Sequence, residues 1–196
     1  MEKIKLNLGC GLDIRKGWVN LDAIKTKGVD VIHNLNKYPY PFKDDTFDEI
    51  FASHIIEHLP DTVSFIKEIW RISKPNAKII IKTDHYSGGS LGWGDPEHQR
   101  VFSSQLFHNY NIKFMITGSG ASLSKEKFKV IRIRLRFGKL HTLLGISWLM
   151  NRHIDFYESF VSYLFPARQL IFELEVVKNN LISSNKILRS RKEVFS

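Results

Sequence analysis

"LNLGCGLDIRKGWVNLD", residues 6–22, is the stretch whose reading decides the fold. Leu6 and Leu8 belong to a short apolar strand that stops at Gly9. Gly9-Cys10-Gly11 then supplies a turn whose backbone can approach a ligand closely. Only residues 12–17 lie between Gly11 and the next strand, which opens at Val19 and ends at Asp22. That is too short for the crossover helix of a dinucleotide-binding unit, and the third glycine of that fingerprint would fall at Ile14. The N-terminus of that helix is what holds a pyrophosphate. Without it, the loop suits a nucleoside ligand that carries no phosphates. Asp22 is placed to accept hydrogen bonds from ribose hydroxyls. Asn34, beyond the third strand, offers a donor and an acceptor to an adenine edge.

Outward from this loop, the pattern alternates short strands with loops or one helix. Strands are predicted at 4–8, 19–22, 29–32, 47–52 and 78–83. Apolar positions 63, 66, 69, 70 and 72 give a helical period over 62–72, capped by Asp61 or Thr62 and followed by Pro75. Two further strands, 129–137 and 170–177, alternate cleanly. Together these predict an α/β fold: a Rossmann-like, mostly parallel twisted sheet with helices on both faces and an antiparallel C-terminal strand pair. Ligands in such sheets bind beyond the carboxyl ends of the strands, where Gly9, Asp22, Asn34, Ser53 and Asp84 fall.

The co-occurring pieces "NLGCG" (7–11), "VNLD" (19–22), "FDEIFASHIIEHL" (47–59), "EIWRISKPNAKIII" (68–81) and "DPEHQRVFS" (95–103) resemble the class I S-adenosylmethionine-dependent methyltransferases, in particular a small type 11-like group. The resemblance covers roughly residues 4–110. It implies S-adenosyl-L-methionine as cofactor, lined by Asn7, Gly9, Cys10 and Gly11, with Asp22 and Ala23 at the ribose, Asn34 and Leu35 at the adenine, and Ser53 by the methionine amine. The sequence departs from the pattern at Asn7, where an acidic residue is usual, and at Asn76-Ala77, where paired glycines are common. The implied reaction is methyl transfer to a small-molecule or glycan hydroxyl or amine, and a protonated acceptor needs a base. Rim candidates are His54, His58, Asp84, His85 and His98, with His85 and His54 foremost.

"HIIEHLP" (54–60) also spells H-x-x-E-H, an inverted zinc peptidase signature. Zinc needs both imidazoles on one face of a continuous helix. A strand ending near Ala52 and a proline at 60 leave room for a single turn, so no metal is expected.

With 43% hydrophobic residues, 196 residues suit one domain, read as 1–178, with 138–168 a lid or interface insertion and 179–196 a basic tail. The single cysteine excludes an internal disulfide, and the opening residues leave no room for a signal peptide, so a cytoplasmic setting is expected. No apolar run is long enough for a transmembrane segment. The net charge of +9 is uneven: residues 1–120 hold 15 basic and 14 acidic side chains, residues 121–196 hold 14 and 6. That excess leaves an RNA methyltransferase open, although "TDHY" (83–86) lacks the motif of amino-directed base methylation. Arg132, Arg134 and Arg136 alternate on one strand, and Glu173 and Glu175 on the other, which favours cross-strand ion pairs over a nucleic-acid face. A binding domain without catalysis and a homodimer are also open.

Overall fold

The computed structural model describes residues 2–89, 93–111 and 125–178. Its strands are β1 (Lys5–Leu8), β2 (Val19–Asp22), β3 (Val31–Ile32), β4 (Phe47–Ser53), β5 (Ser73–Asp84), β6 (Lys127–Arg136) and β7 (Gln169–Val177). They form one sheet in the order β3-β2-β1-β4-β5-β7-β6. β1 to β5 run parallel, and β7 lies antiparallel between β5 and β6. The order reverses at β1, between β2 and β4, and the crevice beyond such a reversal is where open α/β sheets bind ligands.

The first sheet face carries Leu6, Leu8, Leu21, Ile50, Ala52, Ile79, Ile81 and Phe172, all buried. Helix α1 (Thr62–Ile72) buries Phe65, Ile66, Ile69 and Ile72 in the same core. Its N-cap Asp61 accepts from the Ser64 amide at 2.9 Å.

The second face is built differently. Asn7, Phe51, Ile80 and Glu173 follow one another across β1, β4, β5 and β7, and Ser53, Lys82, Ile171 and Arg134 form the next row. No helix joins β1 to β2, β2 to β3 or β3 to β4; α1 is the one helical crossover among the described residues. Cations take the place of a helix over Phe51. The Arg15 guanidinium lies 3.4 Å from the ring centroid and Lys82 Nζ 5.0 Å, while Arg15 and Lys5 also flank Trp18. Helices α2 (Lys139–Leu143) and α3 (Ile146–Arg152) reach this face at its far corner, as one wall of a cleft. Asn151 of α3 pairs with the edge strand, accepting from Leu135 N at 2.8 Å and donating to Leu135 O at 2.9 Å. Partners of this kind blunt an exposed sheet edge.

Several elements differ from the sequence reading. The third strand holds only Val31–Ile32. β5 starts at Ser73, directly after α1, because Ser73 pairs with Phe47 and Asn76 (φ 63°) absorbs the turn between. β6 and β7 pair as expected, but a bulge between Val130 and Arg132 puts Ile131 out of phase and half-exposed. The ion pairs realised are Arg134–Glu173 at 3.8 Å and Lys129–Glu175 at 3.9 Å. Arg136 instead donates to Gln169 Oε1 at 3.3 Å. The basic tail 179–196 lies outside the described residues.

Residues 154–161, α4 (Ile154–Phe156) and a π turn (Tyr157–Val161), are fastened to the end of β5. Glu158 accepts from Ser104 N at 2.7 Å, Ser104 Oγ at 2.8 Å and His85 Nε2 at 3.0 Å. The Tyr157 hydroxyl accepts from Ala167 N at 2.8 Å and contacts Ser87 Oγ at 3.0 Å.

Glu158→Ala would strip the acceptor from three donors and is expected to cost about 2–4 kcal/mol in urea unfolding. A loss near zero would show that this segment is anchored otherwise. Arg134→Ala removes a half-exposed ion pair and should cost less than about 1 kcal/mol by the same measurement.

Candidate active site

The loop that follows β1 closes without a helix because two buried amides satisfy its backbone. Asn7 Nδ2 donates to Asp13 O at 2.7 Å and to Asn20 Oδ1 at 3.1 Å. Asn20 Oδ1 accepts from Arg15 N at 2.9 Å, and Asn20 Nδ2 donates to Arg15 O and Trp18 O, each at 3.1 Å. Asp30 completes the set by accepting from Asn20 N at 2.7 Å. The side chain of Asn7 is therefore occupied in closing the loop.

Gly9 and Gly11 have φ of 61° and 50°, the left-handed region that favours glycine. A Cβ on Gly9 would come within 2.8 Å of Ile55, so that position is closed to larger residues. A Cβ on Gly11 would meet nothing within 4 Å, so the space above it is open. Asp22, at the end of β2, spans this turn. Its Oδ2 accepts from Gly11 N at 2.8 Å and its Oδ1 from Ile24 N at 3.0 Å. Each oxygen keeps a second lone pair for a ligand hydroxyl. Leu12 and Ile24, next along the chain from Gly11 and two residues past Asp22, are 91% and 69% exposed. A carboxylate fixed by two amides, open space over a glycine and exposed aliphatic side chains are what an adenosyl group with a free ribose diol requires. The residues present fit S-adenosylmethionine.

The other cofactor candidates are dispersed around this centre. Ala23 and Asn34 are exposed, and Asn34 Oδ1 accepts from Asn36 N at 2.9 Å in a turn. The Leu35 side chain is packed into the core. Cys10 is buried, and burial followed by the Asp22 charge raises its thiol pKa. Ser53 is half-buried at the end of β4.

Immediately after Ser53 the chain makes a second constrained turn. His54 has a φ of 53° and donates its amide to Lys82 O at 2.9 Å. Non-glycine residues held there are uncommon and gather at functional sites. Its Nδ1 lies 3.0 Å from Glu57 Oε1 and 3.5 Å from Asp84 Oδ1; its Nε2 lies 2.8 Å from Gln169 Nε2. The Glu57 hydrogen bond raises the His54 imidazole above its usual value, and the Glu57 and Asp84 charges add to this. Burial would push Glu57 upward, but the bond to His54 holds it below the ordinary carboxylate range. Burial and then the Glu57 charge raise Asp84.

His58 belongs to a different group. Its ring packs on His98 at 4.6 Å, and His98 lies 3.8 Å from Asp95 and 3.9 Å from Asp84. The two imidazoles of H-x-x-E-H thus fall into separate clusters, His54–Glu57–Asp84 and His58–Asp95–His98. His85 is fully buried, its Nδ1 2.8 Å from Ser87 Oγ and its Nε2 bonded to Glu158. Both ring nitrogens are engaged away from solvent. Gln169 and Glu158 escaped the sequence reading because their partners lie 115 and 73 residues away.

Residues 6–81 match a family described as a methyltransferase domain. Demethylmenaquinone methyltransferase of Bacillus mycoides (strain KBAB4) is 33% identical over 64 residues, 33% of this chain and 27% of that protein. The chain spans less than a third of the length of the curated relatives it matches. Among solved structures, the YcgJ protein from Bacillus subtilis has a TM-score of 0.55 at 14% identity, covering 91% of this chain and 93% of that one. An S-adenosylmethionine-dependent methyltransferase from Archaeoglobus fulgidus has a TM-score of 0.54 at 17% identity, covering 88% and 86%. Residues 6–81 thus resemble a methyltransferase domain, and the chain shares its fold with these solved structures.

Proposed function

We propose that this protein transfers a methyl group from S-adenosylmethionine to a hydroxyl or amine of a small molecule or glycan, with His54 as the base. The observation that carries the reading is the Asp22 carboxylate, clamped by the amides of Gly11 and Ile24 beside the open space over Gly11. Bound there, the cofactor would supply an activated methyl group on a sulfonium. Asp22 accepts from the ribose hydroxyls. Asn34 and the Leu35 backbone flank the adenine, and Ser53 lies toward the methionine end. Because the donor is already activated, the protein chiefly positions acceptor and donor in line, a contribution that can reach about 7–11 kcal/mol.

Proton removal falls to His54. In the neutral ring, Glu57 keeps the proton on Nδ1 and leaves the Nε2 lone pair toward Gln169. An acceptor hydroxyl or ammonium takes the place of the Gln169 amide and gives its proton to Nε2. Asp84 supports the imidazolium that results. His85, sealed in its bonds to Ser87 and Glu158, holds the 154–161 segment against the end of β5.

Titration calorimetry with S-adenosylmethionine tests the cofactor site. Asp22→Ala should weaken binding at least about tenfold, or 1.4 kcal/mol. Unchanged affinity would remove Asp22 from the site.

The pH profile tests the base. A general base works when neutral, so kcat/KM should rise as pH passes the raised His54 pKa and level off above it. Glu57→Gln removes the principal cause of the raised value, so the rising limb should move to lower pH. A limb that stays in place in Glu57→Gln, or that survives in His54→Ala, would assign the proton to another group.

A further inference from the structure

The last third of the chain has two features that methyl transfer does not use. The first is a cleft of about 710 Å³ on the second sheet face, where Lys82, Arg134 and Arg136 face Lys139, Leu143 and Asn151. Of its four cations, Arg134 alone has a carboxylate within ion-pair distance among the described residues. Burial, followed by the charges of Arg15 and Arg136, lowers the pKa of Lys82, as expected where cations crowd without enough anions. The second feature is apolar. Leu143, Leu144, Trp148, Phe160, Tyr163 and Leu164 are each between 64% and 83% exposed. Ring contacts tie the segment that carries them together, with His141 6.0 Å from Phe165 and Phe137 5.4 Å from Tyr157. Leu143 belongs to both features, since it lines the cleft and projects into solvent, so the cationic and apolar surfaces adjoin.

We infer that this surface docks on an anionic phospholipid bilayer, with Trp148, Leu143, Leu144 and Phe160 entering the headgroup–acyl boundary while Lys82, Arg134, Arg136 and Lys139 receive lipid phosphates. Short amphipathic helices with Trp, Phe and Leu beside Lys and Arg bind in the plane of such an interface. Tryptophan and tyrosine favour headgroup depth, and cations at the surface are drawn to acidic lipids. Among the described residues no helix is long and apolar enough to cross a membrane, so the contact is peripheral.

Charge argues against a second copy as the occupant. Residues 132–168 carry six Lys and Arg against two acidic residues, and one of those, Glu158, is taken by His85 and Ser104. A symmetric pairing would set this cluster against its own image. RNA would use the cations and could stack on Trp148, but leaves the exposed leucines without a role. The docked face also adjoins the site: Arg136 bonds to Gln169, which lies against His54.

The test is co-sedimentation of the full chain with vesicles of phosphatidylcholine alone, and with about one-third phosphatidylglycerol. Binding is expected to the anionic vesicles alone, weakening with salt, with a blue shift in tryptophan emission that Trp148→Phe removes. Trp148→Glu, and separately Arg136→Glu with Lys139→Glu, should each cut the bound fraction about tenfold, with melting temperature and S-adenosylmethionine affinity unchanged. Equal binding to both vesicle types, or anionic binding undiminished in the variants, would overturn the inference. So would failure to bind vesicles, whether alone, with a dimer in light scattering that Trp148→Glu dissolves, or with salt-sensitive binding to single-stranded RNA.

Discussion

The fold rests on a small polar constraint, the side-chain bonding of Asn7 to Asn20 and of both to the backbone of residues 13–18. Buried backbone groups must find partners, and a crossover helix ordinarily provides them internally. Here two asparagine amides and Asp30 do so, which lets the chain turn from β1 to β2 in a few residues. The remainder of the architecture follows. Without a helix there, the second face of the sheet is left to Arg15, Trp18 and Lys82 around Phe51, and charged and apolar side chains share that face from β1 to β6. The same short turn leaves Gly11 open and brings its amide to Asp22, so the structural economy and the candidate cofactor site are one arrangement.

The candidate base depends on a second local constraint. His54 adopts a left-handed backbone conformation one residue after β4, and this turns its ring toward Glu57, Asp84 and Gln169. A buried carboxylate beside an imidazole is costly unless paired, and the pairing is what raises the histidine and lowers the glutamate. Glu57 of H-x-x-E-H thereby orients the His54 ring through its Nδ1. His58 is drawn off to His98 by the loop that carries Asp95.

The helical segment over 139–165 is joined to the sheet by polar contacts at two places, Asn151 at the β6 edge and Glu158 at the end of β5. Both joints satisfy groups that would otherwise be buried or left at an edge unpaired. They hold inward residues such as Met150 and Tyr157 in the core and leave leucines and aromatics of the same helices outward. One short stretch thus completes the core and presents an apolar surface bordered by cations.

Sequence by itself determined the strands of the first half in outline, α1 with its Asp61 cap, the short turn after Gly11 and the pairing of the arginine and glutamate strands. These are local matters: a period of two or 3.6, a cap, a count of residues between strands. The place of Asp22 at the end of β2 was legible for the same reason. Tertiary structure alone decided which histidine keeps partial exposure and which is sealed. His54 and His85 look alike in the sequence, each one step past a strand, but Glu158 seals the second while Gln169 meets the first. The bulge at Ile131 and the shortened β3 were likewise settled by pairing with neighbours rather than by propensity. Contacts across more than seventy residues depend on where the backbone has already gone, and no local period encodes them.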